Sequence, residues 1–506
     1  MFMFLKKHER LVYGKCNGKH HKGASCFKAD KWLQFEKGRV QNMDILREDL
    51  RRLFRIKAHL QKRPKLTYAL LLLFGIWAAY HIVSPWHYLS QEQLSNITNV
   101  YMNSRLQKLN MCMQQLLAGG QPQVVSLKDH NPAFYLYASY LGVLFGKTEA
   151  WQVFLLLQSG AAALVFLLYP VLIYKLTHSM LTACISPFLL KTFLGWILYE
   201  FKTDSYWSMA WIIVMGLPLL AVYFREKHGW PKWAAFTGIC LCMGLANLPR
   251  MHSSLGILLL LLVAIVREQF TLFKERRNRK TVVLGCALLC ISLISYSAFT
   301  GLIPKVYIAV TGQEGKIEDF GPWHSVYIGL GWEENKYSIE YRDEYANELV
   351  QSIDPTAEYC SPKYMEILKN EWFRLWREDP GYMIGSYFRK FKACVKLCLE
   401  SPVYSHYDGG FYLNGIMLGL CLLRYIFKRR KILLPWSPLI FGTLFCGLFS
   451  LVFPMIAMPR FYYSLGSFAA YGMLLTFGIL AVTRSVIRAA EDFSQKDPAR
   501  IMGTDT

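Results

Sequence analysis

Residues 126–150 read SLKDHNPAFYLYASYLGVLFGKTEA, and the fold depends on how this stretch lies relative to a membrane. A charged turn, KDHNP, precedes an aromatic, amphipathic run of about fifteen residues that ends at Gly146. At ~1.5 Å per helical residue the run covers roughly 22 Å, too short for a hydrocarbon core of about 30 Å. Tyr135, Tyr137 and Tyr140 suit an interfacial helix, whose tyrosine rings are buried while the hydroxyls reach water. We therefore predict an interfacial helix at 133–146.

The composition is that of a polytopic membrane protein. Of the 506 residues 53% are hydrophobic and only 18% are charged, and the mean hydropathy is +0.21. The net charge of +22 is better explained by basic cytoplasmic loops that contact anionic membrane lipids than by nucleic-acid binding. We therefore expect anionic lipids as partners and no nucleic acid.

Hydropathy predicts about ten membrane spans, and charge orients them. The spans are 66–83, 150–174, 179–198, 206–224, 233–248, 253–266, 281–303, 411–427, 432–456 and 461–483. If 133–146 stays in the interface, the basic segments 225–232, 267–280 and 428–431 all lie inside, whereas a spanning 133–146 would move all three outside. The positive-inside rule therefore favours an exterior, interfacial 133–146.

The predicted class is an all-α polytopic membrane protein with additional interfacial helices and an extracytoplasmic domain that is mostly helical. We expect it in a bacterial inner (plasma) membrane with both termini cytoplasmic. Its regions are a basic, amphipathic, cytoplasmic 1–65, a transmembrane core 66–303 with exterior loop 84–149, an extracytoplasmic loop domain 304–410, C-terminal spans 411–483 and a cytoplasmic tail 484–506.

The loop domain is acidic where the inside loops are basic, with 17 Asp and Glu against 12 Lys and Arg. Its second half reads as two helices, Tyr364 to Trp376 and Met383 to Leu399, with a break at Asp379-Pro380. Its first half, which contains Gly329 and Gly331, reads as turns.

Several ionisable residues lie within or beside the predicted spans, and the threading places them on the exterior side. Because burying a charge in lipid is costly, a functional role is the default hypothesis for such residues. They are Asp129, His130, Lys191, Glu200, Asp204, Arg250, His252 and Arg460, the last followed by Tyr462. A carboxylate can deprotonate an acceptor hydroxyl, and cations can hold a phosphate leaving group. We expect Lys191 to face the bundle interior. Most of these residues also have a simpler explanation: a solvated turn for Glu200 and Asp204, an interfacial anchor for each arginine, a snorkelling Lys191, a helix cap for Asp129 and a hydrogen-bonding turn residue for His130.

The segments DHNP at 129–132, LFG at 144–146, KTDSY at 202–206 and PRFY at 459–462 resemble the GT-C glycosyltransferases. The similarity is closest to protein O-mannosyltransferases and lipid A aminoarabinose transferases, and it covers residues 66–310 best. A loop segment at 323–331, WHSVYIGLG, resembles an insert of bacterial members. The resemblance implies an inverting transfer from a polyprenyl-phosphate sugar to a lipid, glycan or protein acceptor at the exterior face.

The resemblance also implies residue roles. The family places an acidic pair soon after the first span, and here that region reads SQEQ at 90–93, with the single acid Glu92. The base is therefore Asp129 or Glu92, unless the protein is not an active transferase. Arg250, Arg460, Lys191 and His130 would hold the donor phosphate. Glu200, Asp204, His252, His324 and Tyr462 would bind substrate or support the site.

The residues leave metal dependence and several alternative functions open. No cofactor is indicated, and several members of the family bind a divalent cation, but no clear ligand set shows whether this chain does. A transporter or flippase of lipid-linked sugars and a non-catalytic membrane assembly protein are the alternative functions. A polysaccharide polymerase or ligase is a nearby enzymatic variant, for which His324 would be the residue to test.

Overall fold

The computed structural model describes residues 48–49, 52, 55, 59–60, 62–84, 103–123, 132–195, 206–226, 229–276, 279–313, 322–400 and 437–495. The chain divides into two units. The first consists of Met1–Pro64 together with Val486–Thr506, and the second is Lys65–Ser485. The second unit carries the features discussed below. About 85% of the structure is helical, and the described residues contain no strand, so the predicted all-α class is confirmed.

The helices of the first two thirds of the chain are α1 (Pro64–Val83), α2 (Asn103–Leu117), α3 (Pro132–Leu144), α4 (Ala150–Thr177), α5 (Met180–Leu194), α6 (Trp207–Arg225), α7 (Trp230–Asn247), α8 (Leu255–Arg276) and α9 (Arg279–Thr311). The remaining helices are α10 (Pro322–Ile328), α11 (Asp343–Ile353), α12 (Pro362–Glu378), α13 (Pro380–Glu400), α14 (Ser437–Ser450), α15 (Val452–Ile456) and α16 (Leu465–Gln495). Short 3-10 turns occur at Gly329–Gly331 and Tyr462–Ser464.

Seven helical stretches in the described part of the chain are long and apolar enough to cross a membrane. They are Pro64–Val83, Ala150–Thr177, Trp207–Arg225, Leu255–Lys274, Val282–Thr311, Leu439–Ile456 and Tyr462–Arg484. The predicted count of ten is not confirmed: α5 is apolar but has only 15 residues, α7 at the predicted span 233–248 is not among the seven, and 411–427 lies outside the described residues. An apolar helix long enough to cross a membrane does lie at the predicted span 253–266, but it is not short: good helix formers such as Arg267 and Glu268 extend α8 to Arg276.

Helix α6 lies at the centre of the bundle. It packs against α4, α7, α8 and α14, and 89% of its apolar stretch is buried. A helix that is apolar on all sides is expected in such a buried position. Helix α9 is the opposite case, with 17% of its apolar stretch buried, so most of its leucines, isoleucines and valines face outwards. In a membrane protein such a surface faces lipid.

Helix α3 is the predicted interfacial helix, and with 13 residues it covers roughly 20 Å. It packs against α2 and α4 through a face that includes Phe134, Tyr135 and Ala138. Tyr140 is half exposed, as an interfacial tyrosine should be, but Tyr135 is only 2% exposed. The expected wet hydroxyl is therefore wrong for Tyr135, because this residue belongs to the buried apolar cluster that α3 forms with its neighbouring helices.

The loop domain has its own apolar core, formed by α10 to α13. The predicted helices in its second half and the break at Asp379-Pro380 are confirmed. The prediction of turns in the first half was wrong for α10 and α11. Gly331 is explained by packing rather than by turn chemistry, since a Cβ there would lie 2.5 Å from the carbonyl oxygen of Ile339.

Candidate functional site

Eight aromatic and cationic side chains come together where α6, α8 and α16 begin and α7 and α15 end. We call this set the aromatic–cation cluster, and it consists of Tyr206, Arg250, His252, Tyr341, Phe453, Arg460, Tyr462 and Tyr463. Five chain segments contribute to it, one of which belongs to the loop domain. The cluster therefore joins the membrane bundle to the loop domain.

The first cation of the cluster is Arg250. Its guanidinium carbon lies 4.5 Å from the ring centre of Tyr206, a cation–π contact. Tyr206 in turn packs against the rings of Tyr462 and Tyr463, with 5.2 Å between ring centres in both pairs. His252, two residues after Arg250, stacks on Phe453 with 3.4 Å between ring centres and an interplanar angle of 8°.

The second cation is Arg460, and its side chain is exposed. Nη1 of Arg460 donates a hydrogen bond to the Tyr462 hydroxyl at 2.9 Å. Its guanidinium carbon also lies 5.5 Å from the ring centre of Tyr341, which comes from the loop domain. The Tyr206–Tyr462 ring pair thus links the two arginines, so the cluster concentrates positive charge at one end of the bundle.

Hydrogen bonds fix the turn that carries Arg250. Asn247 Oδ1 accepts from the backbone N–H of Ser254 at 3.0 Å and from its hydroxyl at 2.9 Å. Asn247 Nδ2 donates to the backbone carbonyl of Tyr296 on α9 at 2.8 Å. The hydroxyls of Ser208 and Ser253 lie 2.8 Å apart and connect the first turn of α6 to the same loop. These bonds close the α7–α8 connection and hold Arg250 over Tyr206.

An apolar groove of about 370 Å³ lies beside the cluster, between α3, α4, α6 and α7. Its lining is almost entirely hydrophobic. The groove reaches Trp207 and Ser208 at the start of α6, and Leu248 and Pro249 at the end of α7. These residues directly follow Tyr206 and directly precede Arg250, so one end of the groove lies next to the first cation.

Other lining residues, Phe145, Leu164 and Leu245, are 57%, 49% and 46% exposed. Because these large apolar side chains are exposed, the groove opens sideways, towards the surface that a bilayer would cover. Two of its tryptophans, Trp207 and Trp211, have buried indole N–H groups with no acceptor among the described residues. A buried donor without a partner costs about 1–3 kcal/mol.

The structure brings together four of the residues selected from the sequence: Arg250, His252, Arg460 and Tyr462. Lys191 does not join them. Its side chain is exposed on α5, so the expectation that it faces the bundle interior was wrong, and snorkelling is the better explanation. Five further predicted site residues lie outside the described residues; they are Glu92, Asp129, His130, Glu200 and Asp204.

His324 lies in the core of the loop domain rather than at the cluster. Its ring nitrogens are bonded on both sides, Nδ1 to the hydroxyl of Tyr364 at 2.8 Å and Nε2 to Oδ1 of Asp343 at 3.1 Å. Burial raises the pKa of Tyr364, so its hydroxyl stays protonated and donates to Nδ1. The Nε2–H of His324 then donates to the carboxylate of Asp343. This arrangement ties α10 to α11 and α12.

Lys390 on α13 was not selected from the sequence. Its side chain is 0% exposed, and Nζ donates to the backbone carbonyls of Ile456 and Ala457, both at 3.2 Å. These carbonyls lie at the end of α15, a few residues before Arg460. The sequence did carry a signal for its burial. Lys390 lies seven residues after Met383 and four before Cys394, so it falls on the apolar stripe of α13 to which these two buried residues belong.

The other residues missed were Tyr341, Phe453, Tyr463 and the groove lining, which only the folded chain brings together. Within the described ranges, no group of three or more His, Cys, Asp or Glu side chains could hold a metal ion. No family model, curated protein or solved structure matches this chain.

Proposed function

We propose that the protein is an integral-membrane glycosyltransferase of the GT-C type that transfers a sugar from a polyprenyl-phosphate donor. The observation that supports this best is the apolar, laterally open groove whose end adjoins a cluster with two arginines. A lipid phosphate needs this combination, since its tail must leave water and its head requires cations.

The chemistry assigned to the site is a single displacement with inversion. Asp129 or Glu92 takes the proton from an acceptor hydroxyl, and the acceptor oxygen attacks the anomeric carbon of the sugar. The bond between that carbon and the phosphate oxygen breaks, and the polyprenyl phosphate leaves with the electron pair. Arg250 and Arg460 stabilise the negative charge that develops on the phosphate. His252 and Tyr462 hold the site together, and the acceptor is a lipid, glycan or protein.

The charge at the other end of the bundle supports an extracytoplasmic location for this site. Three cations lie at that end: Lys175, Arg225 and Lys232. Arg225 is the last residue of α6, whose first residue follows Tyr206, and its guanidinium donates to the backbone carbonyl of Lys175. The acids Glu226 and Glu268 pair with two of these cations. By the positive-inside rule the basic end would be cytoplasmic and the aromatic–cation cluster would face outwards.

The test uses the full chain, purified and reconstituted in liposomes that contain anionic lipid. A polyprenyl-phosphate hexose and a polyprenyl-phosphate pentose are offered separately, together with an acceptor extract from the cell surface. Release of polyprenyl phosphate and the mass of the sugar-modified acceptor are measured by mass spectrometry. We expect one donor to be consumed and its sugar to appear on an acceptor.

Two outcomes would contradict the proposal. Movement of the labelled lipid across the bilayer without a covalent product would favour a flippase. If neither donor is consumed and the surface glycans and glycolipids of a deletion strain are unchanged, the protein would be a membrane assembly factor instead.

A further inference from the structure

Lys390 connects the loop domain to the segment that carries Arg460. Its amino group has no exposed surface and uses two backbone carbonyls of the bundle, those of Ile456 and Ala457, as acceptors. Carbonyl oxygens at the end of a short helix need donors, and here one side chain from another domain supplies them. The ring of Tyr387 lies 5.2 Å from Nζ on the remaining side.

Two neighbouring features show that this contact is close and specific. A Cβ on Gly329 would lie 2.4 Å from the carbonyl oxygen of Ala457 and 2.6 Å from that of Ile456, so the loop-domain backbone touches the same two carbonyls. Arg389, adjacent to Lys390, pairs with Glu333, which follows the Gly329–Gly331 turn. Helix α13 and the glycine turn therefore approach the end of α15 together.

The segment that follows these carbonyls is irregular up to the Tyr462–Ser464 turn, and its Arg460 N–H bonds the carbonyl of Met458 at 2.8 Å. On its C-terminal side the Arg460 carbonyl accepts from the Ser464 hydroxyl at 3.1 Å. On its N-terminal side the position of Arg460 depends on how residues 456–457 are held. From the other side, Tyr341 of the loop domain contacts its guanidinium.

We propose that Lys390 is a positioning residue for the transfer site: it holds residues 456–457 against the loop domain and thereby sets where Arg460 meets the donor phosphate. This inference rests on the proposed function in assigning Arg460 to the phosphate. It gives the loop domain a definite part in the reaction, since a contact inside that domain determines the geometry of a bundle residue.

The first test measures structure and needs no substrate. Lys390→Met, Lys390→Arg and the control Lys392→Met, an exposed lysine on the same helix, are compared by hydrogen exchange of backbone amides. In Lys390→Met we expect faster exchange across 456–464, unchanged exchange in α12, and partial recovery in Lys390→Arg, whose guanidinium keeps donors for two carbonyls. Unchanged exchange across 456–464 would overturn the inference.

The second test measures binding of decyl phosphate to the reconstituted protein. Lys390→Met and Arg460→Ala should each weaken binding about tenfold, the range of a lost charge-assisted hydrogen bond, and the double variant should bind no worse than either single variant. Additive losses would mean that Lys390 does not act through Arg460, and would overturn the inference. Failure of the unaltered protein to bind decyl phosphate would instead overturn the proposed function, while the exchange experiment still decides the structural part.

Discussion

The guanidinium of Arg250 lies over the ring of Tyr206, with its central carbon 4.5 Å from the ring centre, and Tyr206 directly precedes two residues that line the apolar groove. The contact holds a cation at the end of the groove. A cation–π contact of this kind is an electrostatic attraction between the guanidinium and the ring face.

Replacing Arg250 should therefore reduce transfer while the fold is retained. We expect Arg250→Ala to lower kcat/KM about tenfold to a hundredfold, the effect of a lost hydrogen bond to a charged group of roughly 1.5–3 kcal/mol. Arg267→Ala, which removes an exposed arginine from α8, is the matched control and should keep full activity. Equal activity in both variants would remove Arg250 from the site.

The two candidate bases can be separated by isosteric changes. We expect Asp129→Asn to abolish transfer and Glu92→Gln to leave most of it, because an amide cannot accept the acceptor's proton. Initial rates with saturating donor measure the loss, and membrane insertion checks each variant. The reverse result would make Glu92 the base, and full activity in both variants would disprove both assignments.

The groove can be filled without disturbing the packing of the bundle. Gly160 lines it, and a Cβ there would meet no atom within 4 Å. Gly160→Leu should therefore occupy the groove and weaken decyl phosphate binding, while the helix gains about 0.5–1 kcal/mol from losing a glycine. Gly301→Leu on α9 has equal space and no groove, so it is the control. Binding that is unchanged in Gly160→Leu would show that the lipid lies elsewhere.

His324 should matter for stability rather than for chemistry. His324→Ala leaves the buried Tyr364 hydroxyl without its acceptor, and we expect a loss of about 1–3 kcal/mol in the free energy of unfolding. Asp343→Asn should cost less, because the side chain of Asp343 is 70% exposed. Thermal unfolding followed by tryptophan fluorescence measures both. A His324→Ala protein with unchanged stability but no activity would favour a polymerase or ligase in which this histidine is catalytic.

The stability contribution of Lys390 should depend on pH. Burial lowers the pKa of Lys390 from 10.5 to about 7, against the smaller opposing effects of Cys394 and Glu333. The unfolded chain then binds the extra proton between pH 7 and about 10, so the contribution of Lys390 to stability rises with pH across that range. The melting temperature of the unaltered protein relative to Lys390→Met should therefore be higher at pH 9 than at pH 6.5. An identical difference at the two pH values would contradict the burial of an ionisable Lys390.

The sequence predicted the features that depend on local chemistry. The break between α12 and α13 followed from Pro380, which has no N–H, and Asp379 Oδ1 accepts from Tyr382 N–H at 3.0 Å in the new helix. The placement of Arg250 and Arg460 at the same end of the bundle followed from threading the spans and balancing the charges of their loops.

The other features depend on long-range packing. Tyr341 is more than a hundred residues from its partner Arg460, and no periodic pattern reports such a contact. Helix α10 was read as turns because Gly329 and Gly331 resemble turn residues, whereas the backbone approach to Ala457 is what requires Gly329. The sequence likewise showed the leucines and tryptophans of the groove only as parts of separate spans.

The sideways opening of the groove has a consequence for how the protein encounters its ligand. A groove whose mouth is lined by exposed Phe145, Leu164 and Leu245 fills from the bilayer rather than from water. Its occupancy then follows the mole fraction of the ligand among the surrounding lipids, not the bulk concentration. Diluting proteoliposomes at constant lipid composition should leave the occupancy unchanged, whereas adding inert lipid should lower it, which is the behaviour of surface dilution.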